Sequence, residues 1–173
     1  RANQAYDEFM PLDGEFRDNV LIQIKNGPVD FQPREPFSPL FGGMSKTAMM
    51  VEFQITQEYM GGSNHLVYLS TQLEECLDSD TYCNNEYSTV AEITSGKAYP
   101  EVYNTTAIAG VANIGRDKNW CGHYFAQSSW YAFGRLAWNA ELSSEEIARE
   151  WLQQTFSTEP EFVEPVLDMM MTS

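Results

Sequence analysis

The sequence predicts an α/β fold in which a parallel sheet is covered on both faces and followed by a purely helical end. Three observations lead there. Apolar, β-branched runs at 20–25, 49–56 and 106–115 are separated by long, partly helical connections, the pattern of parallel strands joined by crossovers. From about Asn139 the spacing of apolar residues is helical only. The chain has 173 residues, enough for about one domain with a real core. A complete (β/α)8 barrel needs ~200 residues or more, so a whole barrel is excluded.

Residues 1–19 begin with polar, helix-compatible sequence that Pro11 and Asp13-Gly14 interrupt. Val20 to Lys25 is a short apolar run that Asn26-Gly27-Pro28 stops sharply, as a buried strand ending in a turn. Pro33, Pro36, Pro39 and Gly42-Gly43 make 31–46 a stiff loop with no helix. Met49 to Thr56 is the second strand. Leu66, Leu69, Leu73 and Leu77 recur at helical steps, which predicts a helix over 66–77. Residues 78–105 are polar and read as irregular. Thr106 to Gly115 is the third strand, and its glycines suggest close backbone approach. Ala126 to Trp138 is apolar nearly all round, which predicts a helix buried on more than one side. Ser143-Ser144-Glu145-Glu146 matches a capping box, and Ile147, Ala148, Trp151 and Leu152 then form one stripe. A last helix starts near Thr158 and meets no stop signal, a hint of truncation. In it Met169-Met170-Met171 reads as core or contact packing.

The charge balance limits the partners. Ten basic residues against 25 acidic ones give a net charge of −15, which repels a phosphate backbone or an anionic membrane surface. No apolar run is long enough to span a bilayer. Cys76, Cys83 and Cys121 are an odd number without C-x-x-C spacing, so at most a Cys76–Cys83 bridge is expected. His65 and His123 stand apart, and no pair has zinc-ligand spacing, so no metal or other cofactor is expected. Asn104-Thr105-Thr106 is a glycosylation sequon that matters only in a secreted eukaryotic protein.

The first two predicted strands share a design, each ending in polar groups. Lys25 and then Asp30 follow the first, and Gln54, Gln57 and Glu58 follow the second. Catalytic groups of parallel barrels sit at the C-terminal ends of strands, and adjacent strands lie ~4.8 Å apart. Asp30 and Glu58 can therefore face one pocket, as the two carboxylates of glycoside hydrolysis do. With 25 acids in the chain, two falling just after strands is also what chance placement yields. Lys25 either pairs with a carboxylate or awaits an anionic ligand. Arg34-Glu35 reads as a structural ion pair, and Trp120 and His123 as a packed loop.

Longer stretches go further. Pro11 to Phe16, Gln23 to Pro36, Glu52 to Tyr59, Gly110 to Gly115 with Asn119-Trp120, and Trp130 to Asn139 resemble the α-glucuronidases of glycoside hydrolase family 67. The resemblance covers almost the whole chain and is weakest at 70–104. It implies the C-terminal part of a (β/α)8 TIM barrel at 1–139 and the start of an α-helical domain at 140–173. It implies hydrolysis of α-1,2-linked glucuronic acid, or its 4-O-methyl form, from xylooligosaccharides, with inversion and without metal. Asp30 and Glu58 match the carboxylates flanking the attacking water, and Lys25 matches a basic residue that meets the uronic-acid carboxylate. The family's general acid, a Glu, has no counterpart in these residues, so the isolated chain is expected to be inactive. Partners on this reading are glucuronoxylan-derived oligosaccharides, and a homodimer of the full-length protein is compatible with it. Acidity and substrate incline toward a secreted or periplasmic setting. The alternative is a non-catalytic carbohydrate-binding module for uronic-acid-bearing glycans, and a third reading is a structural domain with a solvated acidic surface.

Overall fold

The computed structural model describes residues 2–27, 31, 35–60, 65–84, 86–118 and 123–173. The chain divides into two compact units whose segments alternate along the sequence. Unit 1 comprises Arg1–Phe53 and Glu75–Gly110, and unit 2 comprises Gln54–Glu74 and Val111–Ser173.

Unit 1 opens with helix α1 (Ala2–Phe9) and a 3₁₀ turn (Met10–Leu12) with Pro11 in its first positions. Asp13 then clamps a distant loop. Its carboxylate accepts from the Ser45 and Lys46 backbone N–H groups at 3.0 Å each and from Thr47 Oγ1 at 2.9 Å. Strand β1 (Ile22–Lys25) pairs in parallel with β2 (Met49–Gln54), in a register that sets Ile22 beside Met49 and Lys25 beside Glu52. The sheet order is β1-β2-β3, with β3 at Ile108–Val111. This is the mixed helix and parallel-sheet architecture the patterning predicts. The strands differ from expectation in burial. Met49, Val51 and Phe53 of β2 are buried and alternate with half-buried residues, while β1 buries only Ile24 and β3 buries none.

The proline-rich stretch is not wholly a loop, because Leu40–Gly43 forms one helical turn, α2. Leu40 and Phe41 bury its apolar side. A Cβ at Gly43 would stand 2.7 Å from Met10 Sδ and 2.9 Å from Tyr6 Cε2, so a side chain there would have to displace the ends of both. The predicted helix over 66–77 starts later, as α3 (Ser70–Asp78), which runs from unit 2 into unit 1. The stretch expected to be irregular holds a second short helix, α4 (Val90–Thr94). A full Thr89/Glu92 capping box starts it and Val90 and Ile93 anchor it. Gly96 closes it at φ +80°, where an added Cβ would stand 2.9 Å from Tyr103 Cβ. Tyr103 Oη in turn accepts the Met49 N–H at 3.1 Å at the start of β2.

Unit 2 is mainly helical: α5 (Ala126–Trp138), α6 (Ser144–Thr155) and α7 (Pro160–Met171), with α6 touching both others. The Ser143 capping box forms as predicted, with Glu146 as its partner. Tyr68 Oη donates to the Ser144 carbonyl at 3.0 Å. Ser144 Oγ donates to Ser70 Oγ at 2.9 Å, and the Ser144 N–H donates to a Glu74 carboxylate oxygen at 2.8 Å. That polar knot satisfies the start of α6, where backbone N–H groups lack helical partners. Burial raises the Tyr68 pKa, so its hydroxyl stays a donor. Phe125, Trp151 and Phe156 meet with ring centroids 5.4–5.5 Å apart, in edge-on and stacked geometry.

Helix α5 corrects one expectation. Its buried residues are Ser128, Ser129, Ala132 and Leu136, whereas Trp138 is 87% exposed. The small residues face inward because the backbone comes close there, with Ser129 Oγ accepting the Leu69 N–H at 3.3 Å. Of the terminal methionines, Met170 is fully buried and Met169 exposed.

Candidate active site

Glu58 lies in the turn after β2, with its carboxylate exposed. Gln54, the last residue of β2, donates Nε2–H to Glu58 Oε2 at 2.9 Å, one helical step back. Asn113, just beyond β3, donates Nδ2–H to Oε1 at 3.4 Å. The ends of two neighbouring strands thus supply one neutral amide to each carboxylate oxygen. An ionised carboxylate accepts at about four lone-pair sites. Among the described residues two amides engage it, and the side chain is exposed to solvent. Such a group can take a proton from a water molecule held against it.

The turn that carries Glu58 is itself tied down. Gln57 is buried, and its Nε2–H donates to the His65 carbonyl at 2.6 Å. His123 Nε2 lies 3.3 Å from that same oxygen. Burying an amide without a partner is costly, so Gln57 fixes the backbone at one end of the loop beside Glu58.

Lys25 closes β1 in unit 1, half-buried, with Nζ 4.7 Å from the centroid of the Phe31 ring. A cation over a ring face is attracted by its quadrupole. Next to it, Gln23 Nε2 hydrogen-bonds Glu52 Oε2, and the Asn26 N–H continues the ladder to the Glu52 carbonyl at 3.0 Å. Asp30, Arg34, Trp120 and Cys121 lie outside the described residues. The structure therefore brings Glu58 together with Gln54 and Asn113, and places Lys25 with Phe31 in the other unit. Gln54 stands among the polar groups the sequence marks after the second strand. Asn113 was visible only as part of the Gly110–Gly115 motif.

Asp13 is occupied as a loop clamp. Glu35 stands half-buried against Gly27, whose Cβ position would be 3.1 Å from Glu35 Cβ. Cys76 and Cys83 are both free thiols, so they form no bridge. Burial pushes the Cys76 thiol up to about 12. Among the described residues there is no cluster of three or more His, Cys, Asp or Glu that could hold a metal ion. No helix there is long and apolar enough to cross a membrane.

Residues 1–120 match the glycosyl hydrolase family 67 middle domain, and residues 121–173 match the glycosyl hydrolase family 67 C-terminus. The chain belongs to glycosyl hydrolase family 67. Relatives agree across its whole length. It is 47% identical over 173 residues to alpha-glucuronidase A of Emericella nidulans and 46% identical to the alpha-glucuronidase of Hypocrea jecorina. It is 44% identical to the probable alpha-glucuronidase A of Aspergillus flavus. Each comparison covers 100% of this chain and 20% of the relative. Membership of a glycoside hydrolase family gives the exposed, amide-held carboxylate after β2 a chemical context. Such enzymes work with pairs of Asp or Glu residues around the scissile bond.

Proposed function

We propose that this chain is part of an α-glucuronidase that releases α-1,2-linked glucuronic acid, or its 4-O-methyl form, from xylooligosaccharides with inversion. The observation that carries the reading is Glu58. It is an exposed carboxylate at a strand end, held by two neutral amides, in a family 67 chain. On this reading β1, β2 and β3 belong to the later part of a (β/α)8 barrel spanning residues 1–139. Its other strands pair along the outer edges of β1 and β3, and residues 140–173 begin a helical domain.

The proposed chemistry needs water on the face of the sugar opposite the leaving xylose. Glu58 and Asp30 flank that water. One of them takes its proton as the oxygen attacks the anomeric carbon, while the other orients the water or stabilises positive charge developing on the ring. The bond to the xylose oxygen breaks, and an acid supplied from outside these 173 residues protonates it. Lys25 pairs with the uronate carboxylate, a charge-assisted contact. Because the acid lies elsewhere, the chain by itself is inactive.

The test is the stereochemistry of the first product of the full-length protein. Proton NMR during early hydrolysis of an aldouronic acid should show the β-anomer of the released uronic acid before mutarotation. Initial release of the α-anomer refutes inversion, and no release of uronic acid refutes the activity.

A further inference from the structure

We propose that Asn104 carries an N-linked glycan in the mature protein. Asn104-Thr105-Thr106 is the one Asn-x-Ser/Thr triplet among the 173 residues, and its middle residue is not proline. All three residues are exposed, on the irregular connection between α4 and β3. This rests on the reading above in one respect. It takes the secreted setting toward which acidity and substrate incline, in which the chain passes through the compartment that holds the glycan donor.

The local geometry accommodates the modification. Asn104 Nδ2 donates to the Asp18 carbonyl at 3.2 Å. A side-chain amide nitrogen carries two hydrogens. Glycosylation replaces one of them and leaves the other for Asp18. Beside it opens a cavity of about 360 Å³ lined by Asp18, Asn19, Val20, Leu21, Ala48 and Thr105. Val20, Leu21 and Ala48 offer apolar contact to the first sugar.

The placement also keeps the glycan from the uronate-binding Lys25. Residues 18–21 precede β1, Ala48 precedes β2 and Asn104 precedes β3, so the triplet stands at the N-terminal ends of the strands. Lys25 closes the C-terminal end of β1, four residues along, or roughly 13 Å at the rise of a strand.

In the transfer step, Asn104 Nδ2 attacks the anomeric carbon of an oligosaccharide carried on a lipid pyrophosphate. A C–N bond forms and the C–O bond to the pyrophosphate breaks. The lipid pyrophosphate leaves, and Nδ2 gives up one proton.

The experiment uses the full-length protein secreted from a fungal host. It is deglycosylated with a peptide-N-glycosidase in heavy-oxygen water and mapped by mass spectrometry. The peptide bearing position 104 should gain one heavy oxygen. Thr106→Ala should abolish that label, Thr105→Ala should keep it, and Asn104→Gln should leave kcat/KM unchanged. An unlabelled position 104, whether the protein is secreted or retained, overturns the proposal, as does equal loss of label in both threonine variants. Release of glucuronic acid is measured on the same sample. Activity with Asn104 bare refutes the glycan alone, and a labelled Asn104 without activity refutes the functional reading alone.

Discussion

Glu58→Gln in the full-length protein separates proton transfer from everything else the side chain does. The carboxylate accepts from Gln54 Nε2 at 2.9 Å and from Asn113 Nδ2 at 3.4 Å. The substituted amide keeps one acceptor oxygen and presents an NH2 group where the second acceptor stood. The shorter Gln54 bond takes the oxygen. Asn113, at the longer distance and exposed, turns its own amide over so that Oδ1 receives the new N–H. One hydrogen bond is thus exchanged for another at a solvated surface, and stability should change by no more than about 0.5 kcal/mol. Shape and volume are preserved, so KM should stay within a few fold. The basic lone pair is gone, and kcat should fall at least ~10²-fold, the low end for a positioned acid or base. That corresponds to about 2.7 kcal/mol of transition-state stabilisation. Initial rates of aldouronic acid hydrolysis yield kcat and KM, and a thermal melt on the same preparation reports folding. A wild-type kcat in a variant that melts normally refutes the assignment of Glu58. A large rise in KM with kcat intact shows that Glu58 binds the sugar without taking a proton.

Lys25→Ala should weaken glucuronosyl substrates roughly 10- to 100-fold through loss of a contact worth ~1.5–3 kcal/mol, with little effect on an uncharged α-glycoside. Equal losses for both substrates show that Lys25 only supports the fold around Phe31. Tyr103 predicts a pH effect. Burial pushes its pKa from 10 up to about 12, against the opposing hydrogen bond from the Met49 N–H. The folded-state value lies above the unfolded one, so its contribution is complete below pH 10. It is lost as pH rises toward 12, by about 3 kcal/mol at most. Tyr103→Phe strands the Met49 N–H and should cost ~1–3 kcal/mol at pH 8. Denaturant titrations at pH 8 and pH 11.5 should show that gap closing, and a constant gap refutes burial of a neutral phenol as the cause.

The strands and the long helices were legible because each carries its own signal. The Val20–Lys25 and Met49–Thr56 runs contain strands β1 and β2, and the Ser143 box opens α6 with its stripe buried as read. Helix α4 carries the same kind of box at Thr89 and Glu92, but it is five residues long in a polar stretch and shows no periodicity to accompany it. The bounds of α5 were legible, and its inward face was not. A helix apolar on every side has no preferred direction in sequence, and the small Ser128 and Ser129 turned inward in place of Trp138. For the site, the polar cluster after β2 placed Glu58 and Gln54 at a strand end. The Asn113 contact joins residues 55 positions apart, and only the sheet brings them together.

The alternation of the two units along the chain has a consequence for how the polypeptide is made. Residues 54–74 emerge from the ribosome before 75–110, yet they belong to the other unit. Unit 1 therefore lacks its second half until position 110 has been synthesised, and the first segment of unit 2 waits for partners that begin at position 111. Each unit must hold its first segment open while a segment of the other is made, and pairing across such separations is slow and exposes sticky intermediates. No single protease nick or stop codon divides the two cleanly. A truncation anywhere between 54 and 110 leaves both unfinished, so an engineered split of this region would have to cut the chain at three crossings.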